Sequence, residues 1–223
     1  MTTTTTTSWV RLLAVAGIAG PALFVIAIAT GGLLDDEYSH LNQAISELGG
    51  TGAANPAVQN TAFIVLGLCV IGFAWALARA IDPPHVAPAL LAVFGLSAAI
   101  LQAVFPCDPG CRGATTSGLL HNTTGMTGFV AAIVAMFLLA RRWRDDATWG
   151  RHALYTRISG YVALGGLIAF VITQAAQIDS IDGLVQRIFA VTLLLWVALT
   201  SAELLRITTP QPTPTAVRRD SRL

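Results

Sequence analysis

WVRLLAVAGIAGPALFVIAIATGGLL, residues 9–34, carries a single charge, Arg11, near its start and none after it. Such a run exceeds the roughly 20 apolar residues that a helix needs to cross the hydrocarbon of a bilayer. It is also too long for the core of a secretory signal, about 7–15 residues, so we expect an uncleaved first span. Pro21 is expected to kink it, and Gly17 and Gly20 to admit a close neighbour.

Five further stretches share this character: 61–81, 86–105, 119–140, 158–176 and 188–207. The whole chain is 54% hydrophobic and 11% charged, where soluble domains carry about a quarter charged residues. So little charge cannot cover a water-facing surface. Backbone amides in lipid must find partners within their own segment, so the six stretches are read as helices. The expected fold is all-α, an integral membrane bundle of six transmembrane helices. Residues 9–207 form it, between a disordered Thr-rich N-terminal tail (1–8) and a disordered basic C-terminal tail (208–223). The two halves of the bundle share no motif that would mark an inverted repeat.

Every cation except histidine is arginine. That excludes lysine Schiff-base chemistry and lysine-dependent phosphate loops. A net charge of +1 gives no pull toward nucleic acid, and none is expected as a partner. With the N-terminus placed in the cytoplasm, Arg11, Arg79, Arg141, Arg142, Arg144, Arg151, Arg157, Arg206, Arg218, Arg219 and Arg222 all fall inside. Only Arg112 and Arg187 fall outside. This asymmetry predicts a multi-pass protein of the cell membrane with both termini cytoplasmic. The inner loop 141–157, with Trp143, Trp149 and Tyr155, reads as an interfacial anchor.

The first outer loop is long. Leu41, Ile45 and Leu48 recur at helical spacing, with Asn42, Gln43, Ser46 and Glu47 around the other side. We expect a short amphipathic helix across the outer mouth, ended by Gly49-Gly50, with Asn55-Pro56 turning the chain into the second span.

Polar groups collect at the outer ends of the helices: Gln102, His121, Asn122, Gln174, Gln177, Gln186 and Arg187, joined by Glu47 and Asp108 from the loops. Polar groups at membrane depth usually face a bundle interior or a water-filled cavity. A shared outer cavity is one reading and wetting at headgroup level is the other. The candidate ligand-binding residues are Arg187, Gln186, Asn122, Gln102, Gln174, Ser46 and Asn55. Arg187 stands at a helix start, where the dipole disfavours a cation. A salt bridge to Asp108, Glu47 or Asp182 is the expected compensation, with an anionic ligand as the rival.

Cys107 and Cys111 frame a Pro-Gly turn on the oxidising side and read as a structural disulfide, with a redox-active pair as the alternative. Cys69 lies within the second span. His40 and His121 fall outside while His85 and His152 fall inside, so three histidines cannot share a zinc ion. No metal and no cofactor are expected. His121 with Asp108 or Glu47 is the candidate acid–base pair if the chain is an enzyme. Glu203 and Arg206 are spaced as a local ion pair.

Two loop motifs carry a resemblance. Tyr38-Ser39-His40-Leu41-Asn42-Gln43-Ala44-Ile45-Ser46-Glu47-Leu48-Gly49 precedes Asn55-Pro56, and Phe105-Pro106-Cys107-Asp108 leads to Leu120-His121. With Gly183-Leu184-Val185-Gln186-Arg187-Ile188 and a later Trp196, they resemble the prokaryotic six-helix membrane family catalogued as domain of unknown function 998, across about residues 10–207. The resemblance implies the fold and a membrane location, and no activity. Ile45-Ser46-Glu47-Leu48-Gly49 is also distantly similar to membrane proteins of the Frag1, DRAM and Sfk1 type, some of which act in lipid-anchor remodelling or lipid distribution. The cysteine loop departs from that pattern. The leading functional reading is an outer polar pocket that binds a lipid or lipid-like amphiphile, with membrane lipids as partners. The alternatives are an intramembrane lipid-modifying enzyme and a transporter subunit or membrane scaffold.

Overall fold

The computed structural model describes residues 3–209, with side chains from Ser8 onward. Six helices are long and apolar enough to cross a membrane. We label them α1 (Thr3–Leu33), α2 (Pro56–Ala80), α3 (Ala87–Val104), α4 (Thr116–Trp143), α5 (Gly150–Ala176) and α6 (Asp182–Thr208). No strand occurs among the described residues. The chain is an all-α membrane bundle. Helix α1 begins inside the Thr tract of residues 1–8, and the basic tail lies from residue 210 outside the described residues.

Helices α5 and α6 start earlier than their apolar cores, at Gly150 and Asp182. Arg151, Arg157, Gln186 and Arg187 are therefore helical, because a helix has no reason to stop where the hydrocarbon does. Pro56 opens α2, where its missing N–H costs nothing. Thr115 caps α4 by accepting from the Gly118 N–H at 3.0 Å. Helix α3 contains a π-helical segment, Leu96–Ile100. Just before it, Gly95 lies so close to Gly67 of α2 that a Cβ on Gly95 would sit 2.8 Å from the Gly67 carbonyl.

Each helix packs on its neighbours in sequence, and α1 also packs on α6, so the six close into a ring. Phe73, Val70, Leu77, Leu91, Met136, Leu139, Phe189, Leu193 and Trp196 fill its middle. At the arginine-rich end, Glu203 binds Arg206 through both oxygens (2.7 and 2.9 Å) and also Arg151 of α5, with His152 at 3.4 Å. The local pair expected from spacing is thus part of a clamp between α5 and α6. Trp143 and Trp149 are not exposed anchors there: they stack on each other at 4.7 Å and are buried.

The opposite end carries the Cys107–Cys111 disulfide. Here the first long loop does not lie across the mouth as an amphipathic helix. It narrows to a single 3-10 turn, Ile45–Gly49, with Ile45, Ser46, Leu48 and Gly49 buried. The turn is pressed against α1, α2, α6 and the disulfide loop. Four apolar or small residues in five leave no polar face to present to a membrane surface, so the segment enters the ring as a plug.

Candidate functional site

A cavity of about 460 Å³ opens at the disulfide end, lined by residues from all six helices together with the plug and the disulfide loop. This is within the usual range for small-molecule sites. Its deeper walls are aromatic: Phe24 and Phe63 on one side, Phe129, Phe170 and Phe189 on the other. Phe189 meets Phe129 edge-on at 4.9 Å and Phe170 at 5.6 Å, which fixes the rings as one surface. Above them, Ser46, Gln102, His121, Asn122, Gln174 and Gln186 form a polar collar.

Most of the collar side chains are held by backbone groups around them. His121 is buried, and its Nδ1 lies 2.8 Å from the Phe105 carbonyl. A carbonyl only accepts, so Nδ1 carries the proton and a neutral ring keeps a lone pair on Nε2. The Gln102 Nε2 donates to the Ser97 carbonyl in the π segment (3.0 Å), to the His121 carbonyl (3.2 Å) and to the Thr124 hydroxyl (3.0 Å). Three acceptors share its two hydrogens and orient the amide, and Oε1 has no protein partner among the described residues. Gln186 Oε1 accepts from the Ile45 N–H and so ties the plug to α6. Gln174 Nε2 donates to Asp182, and Asn122 Nδ2 donates to the Cys111 carbonyl at 3.0 Å. The Ser46 hydroxyl lies 3.4 Å from Cys111 Sγ. Arg112 stands at the rim, paired with Asp179 at 2.6 Å.

Between α4 and α5 the cavity wall is made of side chains that are themselves exposed, notably Met126 and Val171. Met126 lies ten residues into α4, about 15 Å below its start at 1.5 Å per residue. Exposed lining side chains therefore reach this far down the bundle between α4 and α5.

Five residues singled out in the sequence stay outside this cavity. Among the described residues, Arg187 pairs with no carboxylate. It donates to the Gln43 carbonyl (2.9 Å), the Gly183 carbonyl (2.8 Å), the Tyr38 hydroxyl (2.6 Å) and His40 Nδ1 (3.0 Å). Its task is to tether the first long loop to α6. Glu47 accepts the Ala44 N–H at 2.8 Å and closes its own turn. Burial pushes its carboxyl above the ordinary range, against the pull of the Ala44 and Gly110 N–H groups and the Gln43 side chain. Asp108 accepts from the Gly113 N–H (3.1 Å) and the Thr115 N–H (2.9 Å). Burial alone would raise it, but these donors and the Ala114 N–H outweigh that and hold it below the ordinary carboxylate range. Asn55 donates to the Leu34 carbonyl at 3.3 Å. Cys107 is fully enclosed behind Cys111.

Among the described residues His121 therefore has no carboxylate hydrogen-bonded to it, and neither Glu47 nor Asp108 lines the cavity. Cys107, Cys111 and His121 do lie together, with ligand atoms within 4.8 Å, but the two sulfurs are bonded to each other. The aromatic walls had no signal in the sequence, where each phenylalanine is one apolar residue among many.

Residues 18–203 match the family described as protein of unknown function DUF998. The chain belongs to that family. No curated protein and no solved structure matches it.

Proposed function

We propose that this member of the family binds a lipid or lipid-like amphiphile, taken from the outer leaflet of the cell membrane through the gap between α4 and α5. The observation that supports this is the layered chemistry of the cavity. An aromatic pocket suits an acyl or isoprenoid chain, and a hydrogen-bonding collar above it suits a polar head. An entrance flanked by Met126 and Val171 would let such a molecule slide in without its chain crossing water.

The orientation is part of the proposal and rests on the arginines: the disulfide end faces outward and both termini face the cytoplasm. Without a carboxylate hydrogen-bonded to His121 among the described residues, an acid–base enzyme is the weaker reading. The test is mass spectrometry of small molecules retained after mild extraction, on the wild type and on Met126→Trp, which fills the entrance with a side chain that already faces outward. Co-purifying amphiphile in the wild type and its loss in the variant are expected. Equal retention in both would remove the proposal. Reporter fusions that put the Cys107–Cys111 loop in the cytoplasm would remove the orientation.

A further inference from the structure

Among the described residues, Cys107, Cys111 and His121 are the one group of metal-ligating side chains whose donor atoms all lie within 4.8 Å of one another, and all three are buried. In the disulfide form the two sulfurs bond each other. In the dithiol form the same atoms become a ligand set. A tetrahedral zinc ion, with thiolates at about 2.3 Å and an imidazole nitrogen at about 2.0 Å, holds its donors about 3.5–3.8 Å apart. Parting the two sulfurs is the main rearrangement this asks of the site. The His121 ring is already set for the role, because its Nδ1–H is spent on the Phe105 carbonyl at 2.8 Å. Metal-bound histidines almost always place their other N–H on a carbonyl or carboxylate in this way, which leaves Nε2 as the ligand. Both cysteine backbones are pinned independently of the sulfur–sulfur bond. The Cys107 carbonyl accepts the Thr51 N–H at 2.8 Å, and the Cys111 carbonyl accepts from Asn122 Nδ2 at 3.0 Å.

We infer that the reduced chain binds zinc(II) through Cys107, Cys111 and His121, with the fourth position open to the cavity that Cys111 and His121 line. The inference stands apart from the amphiphile reading. Disulfide and metal are alternative states of one pair of sulfurs. A small dithiol that reaches Cys111 from the cavity gives two electrons and two protons to the pair and leaves as its own disulfide. Zinc then displaces the two thiol protons, which pass to water. Charge and softness choose the ion. Two thiolates and a neutral imidazole carry a double negative charge that a divalent cation cancels, and a buried site left neutral avoids the cost of an unpaired charge. Copper(I) leaves a negative charge behind, and magnesium and calcium prefer oxygen donors. Asp108 is not a ligand, since its carboxylate is spent on the Gly113 and Thr115 N–H groups.

The experiment uses the full chain in nanodiscs, as the disulfide and after reduction with dithiothreitol until all 3 cysteines titrate as thiols, the reductant then being removed under argon. Cobalt(II) is the spectroscopic probe, because a tetrahedral thiolate site gives it a sulfur-to-metal charge-transfer band and intense visible bands. The reduced chain is expected to take up one cobalt, release two protons and lose the bands when zinc is added. The oxidised chain is expected to show no bands. Cys69 is a free thiol in both samples, so the difference between them reports only the bridging pair. Zinc should also raise the melting temperature of the reduced chain and leave that of the oxidised chain unchanged. His121→Asn keeps a donor for the Phe105 carbonyl and removes Nε2. It should weaken cobalt binding at least about tenfold, the cost of losing even an outer partner of a metal ligand. Cys107→Ser with Cys111→Ser should abolish the bands. If either variant fails to fold, the comparison of reduced with oxidised wild type decides. A reduced chain that binds no more cobalt than the oxidised one, or whose melting temperature zinc does not move, overturns the site. So does unchanged affinity in a folded His121→Asn, or bands that persist in the folded double-serine variant.

Discussion

The guanidinium of Arg187 donates to the hydroxyl of Tyr38 at 2.6 Å, with its cationic carbon 5.7 Å from the centre of the same ring. That hydroxyl in turn donates to the Ala44 carbonyl at 2.9 Å. One side chain near the start of α6 thereby sets where the first loop turns back, and so where the plug enters the ring.

Arg187→Ala should cost about 2 kcal/mol, the net worth of one or two charge-assisted hydrogen bonds. Arg187→Lys should recover less than half of it, because a single ammonium cannot reach the Gln43 and Gly183 carbonyls on one side and Tyr38 on the other. Thermal melts in nanodiscs measure the loss, and hydrogen exchange over residues 38–44 locates it.

His40 accepts from Arg187 through Nδ1, so the tether needs the ring unprotonated there. Burial first, and then the Arg187 charge, hold its pKa below the ordinary 6.5. The contribution is complete above the unfolded value and is lost as pH falls through the lowered folded value. Exchange over residues 38–44 should rise on acidification below that range in the wild type and stay level in His40→Phe. A wild-type profile without that rise would remove the assigned role.

Glu47 shows the opposite sign. Its raised carboxyl means that folding prefers the neutral form, so its contribution is full below the unfolded value and fades as pH rises through the folded one. Glu47→Gln, which can still accept the Ala44 N–H, should melt at or above the wild-type temperature at neutral pH. Glu47→Ala removes that cap and should lose about 1 kcal/mol.

Asp108 is latched under α4. A Cβ on Gly118 would collide with its carboxylate. Gly118→Ala should therefore cost about 2 kcal/mol through overpacking and through the Gly113 and Thr115 N–H groups left unpaired. Because the Asp108 pKa is depressed, its contribution holds above the unfolded value of 3.8 and disappears as pH falls through the folded one. Acid melts should show this in the wild type and not in Asp108→Asn, which starts from the weakened state.

The disulfide closes a loop with a sequence separation of 4. Loop-closure entropy for so short a ring gives about 2 kcal/mol. Cys107→Ser with Cys111→Ser should lower the melting temperature accordingly, read by thermal melts of the wild type and the double variant in nanodiscs.

The six spans, their helical character and the split between an arginine-rich and an arginine-poor end are present in the sequence alone. The cost of placing a residue in lipid is nearly a sum over residues, and an amide in hydrocarbon must be satisfied by its own helix, so local composition suffices. The gathering of polar side chains near one end could be read in the same way. Their roles could not. Arg187 and Tyr38 are 149 residues apart, and nothing at either position announces the other. Which atom of His121 or Gln102 is spent depends on carbonyls that packing brings to 2.8 and 3.2 Å. A hydrogen bond is decided by position and direction, and those exist only once the helices have packed.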